Sequence, residues 1–196
     1  MPGNTDILHS MLIVSAAEPF AALVRNSLPG GKFTVTEYRK SAAAARRCIL
    51  ERFFDIVVIN CPLPDEIGLD LAMDLAENSQ AGILVVVPSE IYEEVLDYVT
   101  DQGILAIAKP APRGRIGTAV RFLMAIQNKR FLLEQKVSAA KDKLEELRIV
   151  SRAKIVLVEK KHLTEEEAHR YIGRAAMNNG ISRRRAAENI LEDMED

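Results

Sequence analysis

Five short apolar runs, separated by helical patterns, occupy the N-terminal half of the chain. They are MLIV at 11–14, FTVTEY near 33, IVVI at 56–59, ILVVV at 83–87 and ILAIA at 104–108. The first, third and fourth are continuous Val, Ile and Leu runs, which are typical of parallel strands covered by helices on both faces. The segments between them space apolar residues three and four apart, as amphipathic helices do. The pattern predicts an α/β domain over residues 1–115, with a doubly wound, flavodoxin-like sheet of five parallel strands.

In sheets of this kind, ligands and chemistry gather outside the carboxyl ends of the strands. The loops that follow Val14, Ile59, Val87 and Ala108 are therefore where we expect functional residues of this domain.

From Ile116 the pattern changes to one long helix that contains no glycine or proline after Gly117. Steps of three and four along it pass through ten positions, called the seam below, of which nine are apolar. The seam consists of Ile116, Ala119, Leu123, Ile126, Arg130, Leu133, Val137, Ala140, Leu144 and Leu147. Such spacing over more than four heptads indicates a coiled coil, so we predict a linker helix over residues 116–147 that forms a parallel homodimer. The alternative is a helix packed back onto the N-terminal domain or the tail.

The tail, residues 148–196, predicts a small three-helix domain. Its first helix continues from the linker and places Ala153, Val156 and Leu157 on one face. The second helix begins at Thr164 with a T-x-x-E capping box that ends at Glu167. It carries the stripe Ala168, Tyr171, Ile172, Ala175 and Ala176 and ends at Gly180, a residue type suited to a left-handed C-cap. The third helix begins at Ser182 and buries Ala186, Ala187, Ile190 and Leu191.

Composition excludes several classes of protein. A chain of 196 residues with 48% hydrophobic content can bury one sizeable core and a smaller second one. The first ten residues, MPGNTDILHS, predict neither a signal nor a transit peptide, and the apolar runs are shorter than the roughly 20 residues of a membrane span. Cys48 and Cys61 lack a CxxC pattern and fit reduced, buried thiols, so we expect a cytoplasmic protein.

Charge is distributed unevenly along the chain. The net charge is -2, yet residues 148–191 contain ten basic and five acidic residues before the acidic EDMED end. The three acids of TEEE fit a helix N-terminus, whose dipole they complement, rather than a metal or catalytic site. The histidines have no ligand spacing, and we predict no metal, no cofactor and no catalytic residue.

The tail SRAKIVLVEKKHLTEEEAHRYIGRAAMNNGISRRRAAENIL resembles the ANTAR domain, the RNA-binding module of bacterial transcription antiterminators. The resemblance rests on Arg-Ala-Lys at 152–154, Leu-Thr-x-x-x-Ala at 163–168 and Ala-Met at 176–177. The sequence departs from the family at Ile155, usually a glycine, and at Gly173, often an arginine. The whole chain resembles a response regulator with a receiver, a coiled-coil linker and an ANTAR domain. The resemblance implies a non-enzymatic dimer that binds paired hexaloop hairpins in leader transcripts and so prevents formation of a terminator hairpin.

Recognition of single-stranded loops requires planes on which bases stack and cations that contact phosphates. Seven residues of the tail are predicted to supply them: Arg152, Lys154, Arg170, Tyr171, Arg174, Arg183 and Arg184. Two other functions stay open. AAMNNGISRRRAAENI has the spacing of a DNA-binding helix-turn-helix with Arg183 to Arg185 at the start of its recognition helix. A dimeric signalling adaptor would instead leave the basic residues as ordinary surface.

The receiver resemblance implies a phosphorylation site, but most of its positions carry unsuitable residues. Asn60 occupies the position of the aspartate nucleophile, Ser15 and Ala16 that of the Mg²⁺-binding acidic pair, and Val87 that of the hydroxyl residue. Only Lys109 is kept. An amide cannot attack phosphorus at a useful rate, so we predict a pseudo-receiver whose control comes from a regulatory protein, a small ligand or expression level.

Three details of this site stay open in the sequence. Ser89 lies two residues after Val87 and could supply the hydroxyl, and Asp65, in the loop PLPDEIG, is a poor alternative acceptor. Lys109 could pair with Glu18, bond the Asn60 amide or point into solvent. The segment AKPAP suggests a cis peptide bond before Pro110.

Overall fold

A computed structural model describes residues 7–195, and the chain comprises two compact units with a boundary in the sequence between Phe131 and Leu132. Residues 1–6 and Asp196 lie outside the described residues. The first of these segments is part of the N-terminal stretch for which the sequence predicts no leader peptide, and Asp196 belongs to the acidic end. The strands are β1 His9–Val14, β2 Phe33–Arg39, β3 Ile56–Asn60, β4 Gly82–Val87 and β5 Leu105–Ala108. The helices are α1 Glu18–Ser27, α2 Ala42–Glu51, α3 Leu69–Asn78, α4 Tyr92–Thr100, α5 Arg113–Lys161, α6 Glu165–Asn179 and α7 Arg183–Glu195.

The first unit contains a five-stranded sheet in the order β2-β1-β3-β4-β5, and all of its strand pairs are parallel. Successive side chains of a strand face opposite sides, so the sheet supports two cores. Leu12, Val57 and Val85 belong to the core that contains α2, α3 and α4 residues. Ile13 and Val58 belong to the opposite core, together with residues of α1 and α5. The doubly wound α/β fold and all five predicted strands are confirmed.

Helix α5 extends over 49 residues, and its surroundings change along its length. Ile116, Ala119 and Leu123 of the seam are buried in the core of the first unit, against the sheet. Every residue from 131 to 145 is exposed. The first three seam positions are thus covered within the chain, contrary to their assignment to a coiled coil, because a helix lying on a sheet uses the same spacing of three and four. Only seam positions from Ile126 onward are accessible to another helix.

The second unit packs the end of α5 against α6 and α7 and confirms the predicted three-helix domain. Its buried core is small and rich in alanine, and it comprises Ala153, Leu157, Ala168, Ile172, Ala176, Ala186, Ala187 and Ile190. Tyr171, Ala175 and Leu191 are partly buried against this core.

The two ends of α6 have the predicted caps. The Thr164 hydroxyl accepts a hydrogen bond from the Glu167 backbone N–H at 3.3 Å, and a Glu167 carboxylate oxygen accepts one from the Thr164 N–H at 2.8 Å. These bonds from the Thr164 backbone and side chain lower the pKa of Glu167. At the other end, Gly180 adopts a left-handed φ of 62°, which a residue without Cβ reaches at no steric cost.

Replacing Thr164 with alanine should destabilise the C-terminal unit by about 1 kcal/mol, because α6 loses one side of its capping box. In hydrogen exchange of the full chain, the core amides of α6 should exchange about fivefold faster. Ser151→Ala, an exposed helical site in the same unit, is the matched control and should not raise these rates, because alanine favours the helix at least as well as serine. Equal rates in the Thr164→Ala variant and the wild type would contradict the capping role.

The stability difference between the wild type and Thr164→Ala should depend on pH. Because the folded-state pKa of Glu167 lies below its ordinary value of 4.5, the contribution of its carboxylate to stability is present above that value. It is lost as pH falls through the lower folded-state pKa. Thr164→Ala keeps the backbone N–H bond to this carboxylate and loses the bond from the Thr164 hydroxyl. The stability difference between wild type and variant should therefore narrow in acid by the part that the hydroxyl bond contributes, as measured by the same exchange experiment.

Candidate nucleic-acid interface and receiver site

The carboxyl ends of β1 and β3 meet in a neutral hydrogen-bonded pair. The Asn60 side chain donates its Nδ2–H to the Ser15 hydroxyl at 2.9 Å, and both residues are buried. The Ser15 hydroxyl also accepts from the Ala17 N–H, and the Tyr38 hydroxyl donates to the Ser15 carbonyl. Polar groups that are neutral and hydrogen-bonded can be buried without a counter-ion.

This pair does not fit Mg²⁺. Proteins usually hold Mg²⁺ through one or two carboxylates, whereas Ser15 and Asn60 are uncharged, Ala16 has no ligand atom and Glu18 is exposed at the start of α1. Within residues 7–195, no three His, Cys, Asp or Glu side chains come together in a way that could hold a metal ion.

Lys109 binds a backbone carbonyl rather than any of the three partners considered from the sequence. Its Nζ donates to the carbonyl oxygen of Cys61, directly after Asn60, at 2.5 Å. The peptide bond between Lys109 and Pro110 is cis, as predicted, and a second cis bond lies between Cys61 and Pro62. Cys61 and Cys48 are free and buried, as predicted, and burial raises the pKa of the Cys61 thiol to about 12.

The remaining receiver positions have structural partners. Val87 is buried in β4, and the Ser89 hydroxyl donates to the Lys109 carbonyl. Asp65 accepts hydrogen bonds from the backbone N–H groups of Ala42 and Ala43, each at 2.9 Å, which lower its pKa. Asp65 thus caps α2, which explains a carboxylate in this loop without any role in phosphoryl transfer.

Three of the seven predicted RNA-binding residues line one pocket in the second unit. Arg170 and Arg174 of α6 and Arg183 at the start of α7 surround a space of about 470 Å³. The other lining residues are Glu167, His169, Gly173 and Met177. In the part of the chain that the structure describes, these three arginines make no hydrogen bond or ion pair. Among the described residues, the only acid lining the pocket is Glu167, whose carboxylate is bound in the α6 cap, so the lining is net positive.

The other four predicted residues lie elsewhere, and three of them have named intramolecular partners. Lys154 pairs with Glu165 at 2.6 Å and Arg184 pairs with Glu188 at 2.9 Å. The ring of Tyr171 lies under the Lys161 ammonium, 4.7 Å from its centroid. Arg152 is exposed on α5. An RNA contact to Lys154, Arg184 or Tyr171 must therefore compete with an existing contact.

The sequence interpretation did not include Gly173, Met177 and His169 among the candidate residues. A signal for two of them was present, because Arg170, Gly173, Arg174 and Met177 follow one another at i, i+3, i+4 and i+7 and thus share a helix face. No sequence pattern indicated that Arg183 of α7 borders the same space.

Chemically, the pocket combines guanidinium groups, which bind phosphates and stack on bases, with the apolar side chain of Met177. Met177 is 82% exposed and contributes little to the core of its own unit. The arrangement suits an anionic, partly planar ligand.

Known proteins match both parts of the chain. Residues 138–191 match the ANTAR domain family. The chain is 29% identical over 141 residues to the transcriptional regulatory protein PdtaR of Mycobacterium tuberculosis, a match that covers 71% of this chain and 68% of that protein. The PdtaR sequences of strains CDC 1551 / Oshkosh and H37Rv have the same identity to this chain and the same coverage.

Solved structures show the fold of the first unit. One is the chemotaxis response regulator CheY4 of Vibrio cholerae, with a TM-score of 0.52 and 16% identity over 59% of this chain and 98% of that chain. Another is the receiver domain of an HD domain-containing protein from Pseudomonas fluorescens Pf-5, with a TM-score of 0.56 and 16% identity over 66% and 96% of the two chains.

Among residues 7–195, no helix combines the length and hydrophobicity needed to cross a membrane. The N-terminal sheet has the receiver fold, and the C-terminal helices match the ANTAR family. Residues 138–191 therefore form an ANTAR domain, and the domain that precedes it has the receiver fold.

Proposed function

We propose that the protein is a dimeric, RNA-binding regulator of transcription antitermination that recognises paired hexaloop hairpins in leader transcripts. The observation that carries this proposal is the pocket in the ANTAR domain, where the side chains of Arg170, Arg174 and Arg183 converge and make no hydrogen bond or salt bridge among the described residues. The similarity to a transcriptional regulatory protein supports a role in gene expression rather than catalysis. The buried free thiols are compatible with action in the cytoplasm.

A DNA-binding helix-turn-helix is the main alternative, with α7 as its recognition helix. Such a helix would use Arg183 to Arg185 to contact base edges. Arg184 and Arg185 both bond the Glu188 carboxylate of the same helix, at 2.9 and 3.4 Å. Arg183 lines the pocket shared with α6. This arrangement favours a cluster built between two helices over one presented by α7 alone.

The RNA proposal predicts that the full chain binds RNAs with two hairpins in a salt-dependent way. The RNA that binds best is selected from a pool with randomised hexanucleotide loops. Arg174→Ala should weaken binding of the selected RNA about tenfold, about 1.4 kcal/mol, and reduce the salt slope by about 1, because one phosphate contact is lost. Binding is measured by fluorescence anisotropy at several salt concentrations.

Arg184→Ala is the matched control on α7, and its effect should be smaller because its guanidinium is already bonded to Glu188. Tighter binding to a duplex DNA of equal charge would favour the helix-turn-helix. An absence of salt-sensitive binding to either nucleic acid would favour the adaptor.

The dimer is supported by the exposed part of α5. Leu133 is 51% exposed and Val137 53%, and Leu144 and Leu147 continue the same stripe toward the ANTAR domain. A helical stretch exposed on every side from residue 131 to 145 is marginally stable alone in water. A second copy of α5, packed in parallel along the seam from Ile126, would bury this stripe. It would also supply a second ANTAR domain for the second hairpin.

Charges on the seam should prevent dimerisation. The double variant Leu133→Glu/Leu144→Glu should sediment as a monomer at micromolar concentrations where the wild type is a dimer, because carboxylates would be buried against each other. Gln135→Glu/Ser138→Glu is the matched control, since both side chains are exposed and lie off the seam. A dimeric double variant, or a monomeric wild type, would contradict the proposal.

The receiver-fold domain is proposed not to be phosphorylated in the usual way. This proposal is supported by the neutral pair of Ser15 and Asn60 and by the absence of carboxylates at positions 15, 16 and 60. A protein or small ligand would then control the domain. In phosphorylation by acetyl phosphate, a carboxylate oxygen attacks phosphorus and acetate leaves, and no such oxygen exists at Asn60.

Incubation of the full chain with labelled acetyl phosphate and Mg²⁺ should produce no labelled protein. Asn60→Ala and Asp65→Asn should be equally unlabelled, as measured by autoradiography. Label in the wild type that disappears in Asp65→Asn would instead identify Asp65 as an acceptor and refute this part of the proposal.

A further inference from the structure

Gly173 occupies a position where the fold does not need glycine. It lies near the middle of α6, and a Cβ built on it would meet no atom within 4 Å apart from neighbouring helix backbone. Its backbone is helical, not left-handed. Glycine inside a helix costs stability relative to alanine. Neither backbone conformation nor packing therefore explains the residue.

The missing side chain leaves the arginine pocket open. Arg170, Arg174 and Met177 flank Gly173 on α6, and Arg183 faces them from α7. The volume of about 470 Å³ lies within the range of sites that hold small ligands. A side chain of several atoms at position 173 would have room to extend into this volume, because Gly173 lines the pocket and no atom beyond its own helix backbone lies within 4 Å of the Cβ position.

The lining of the pocket matches a nucleotide better than a simple anion. Guanidinium planes and the exposed Met177 side chain provide surfaces on which an unstacked base can lie. The same arginines provide charge for its phosphate. Arg183 opens α7, a helix of 13 residues, so the positive end of that helix lies beside the pocket.

We infer that this pocket receives one splayed-out base of the RNA loop, seated over Gly173, with its phosphate near Arg170, Arg174 and Arg183. The inference rests on the proposed RNA-binding function and adds a single base-binding position to it. Gly173 contributes by leaving room for the base, and the arginines contribute by binding the nucleotide.

The test combines a variant whose side chain fills the pocket with RNAs that each lack one base of the loop. The full chain and its Gly173→Leu variant are titrated with the hairpin RNA selected by the wild type and with six versions, each abasic at one loop position. Gly173→Leu should weaken binding of the intact RNA at least about fivefold, the lower end of what stacking of one base contributes. One abasic position should weaken the wild type by the same factor and should not weaken Gly173→Leu further.

Three controls separate filling of the pocket from damage to the fold. Gly114→Leu alters another helical glycine with open space around it, in α5, and should leave RNA affinity unchanged. Gly173→Gln should reproduce the loss with a polar side chain. Gly173→Ala should raise the unfolding temperature and change affinity little, because a methyl group fills only a small part of the pocket.

The outcomes distinguish the two proposals. If the wild type binds none of the RNAs, the proposed function fails and this inference fails with it. If the wild type binds but Gly173→Leu binds equally well, the base pocket is overturned while the RNA-binding function stands. The same holds if no abasic position weakens the wild type, or if the position that weakens it weakens Gly173→Leu by the same further factor.

Discussion

The long, mainly apolar stripe of α5 is the constraint on which the rest of the structure depends. A helix of 49 residues cannot leave such a stripe in water along its whole length. Its first turns bury Ile116 and Leu123 against the parallel sheet, and its last turns bury Ala153 and Leu157 under α6 and α7. The exposed turns between them are the part of the helix that a second copy could cover.

At the carboxyl end of the sheet, the receiver fold is present although positions 15, 16 and 60 carry no carboxylate. A buried cluster of carboxylates would have to be compensated by a cation, whereas the bond between Asn60 and Ser15 is neutral. Lys109 remains, but it binds the Cys61 carbonyl and so joins the loop after β5 to the end of β3. Lys109 thereby has a structural role at this edge of the sheet.

In the ANTAR domain, acidic residues separate the basic ones into two groups. Glu165 pairs with Lys154, and Glu188 pairs with Arg184 and Arg185. Glu167 is bound in the cap of α6. The three arginines around Gly173 are left available. A surface with modest net charge thus contains one concentrated cationic site, which matters more for binding a phosphate than the total charge does.

Much of the fold could be predicted because its signals are local in sequence. The apolar runs specify the strands, Thr164 and Glu167 specify the start of α6, and Gly180 specifies its end. These features depend on backbone geometry and on contacts within one turn, which neighbouring residues determine. The absence of an acid at positions 15, 16 and 60 is likewise visible in the sequence alone.

Other features required the tertiary structure because they depend on distances between segments far apart in the chain. Spacing of three and four cannot distinguish a helix on a sheet from a coiled coil, so the surroundings of Ile116 to Leu123 were assigned wrongly from sequence. The partner of Lys109 and the cis bond before Pro62 were likewise not predicted. The sequence determined the elements and the chemical types of the candidate residues. Only the tertiary structure decided which arginines lack a hydrogen bond or ion pair and that they border one open pocket at Gly173, because these contacts depend on distances in space rather than on chain order.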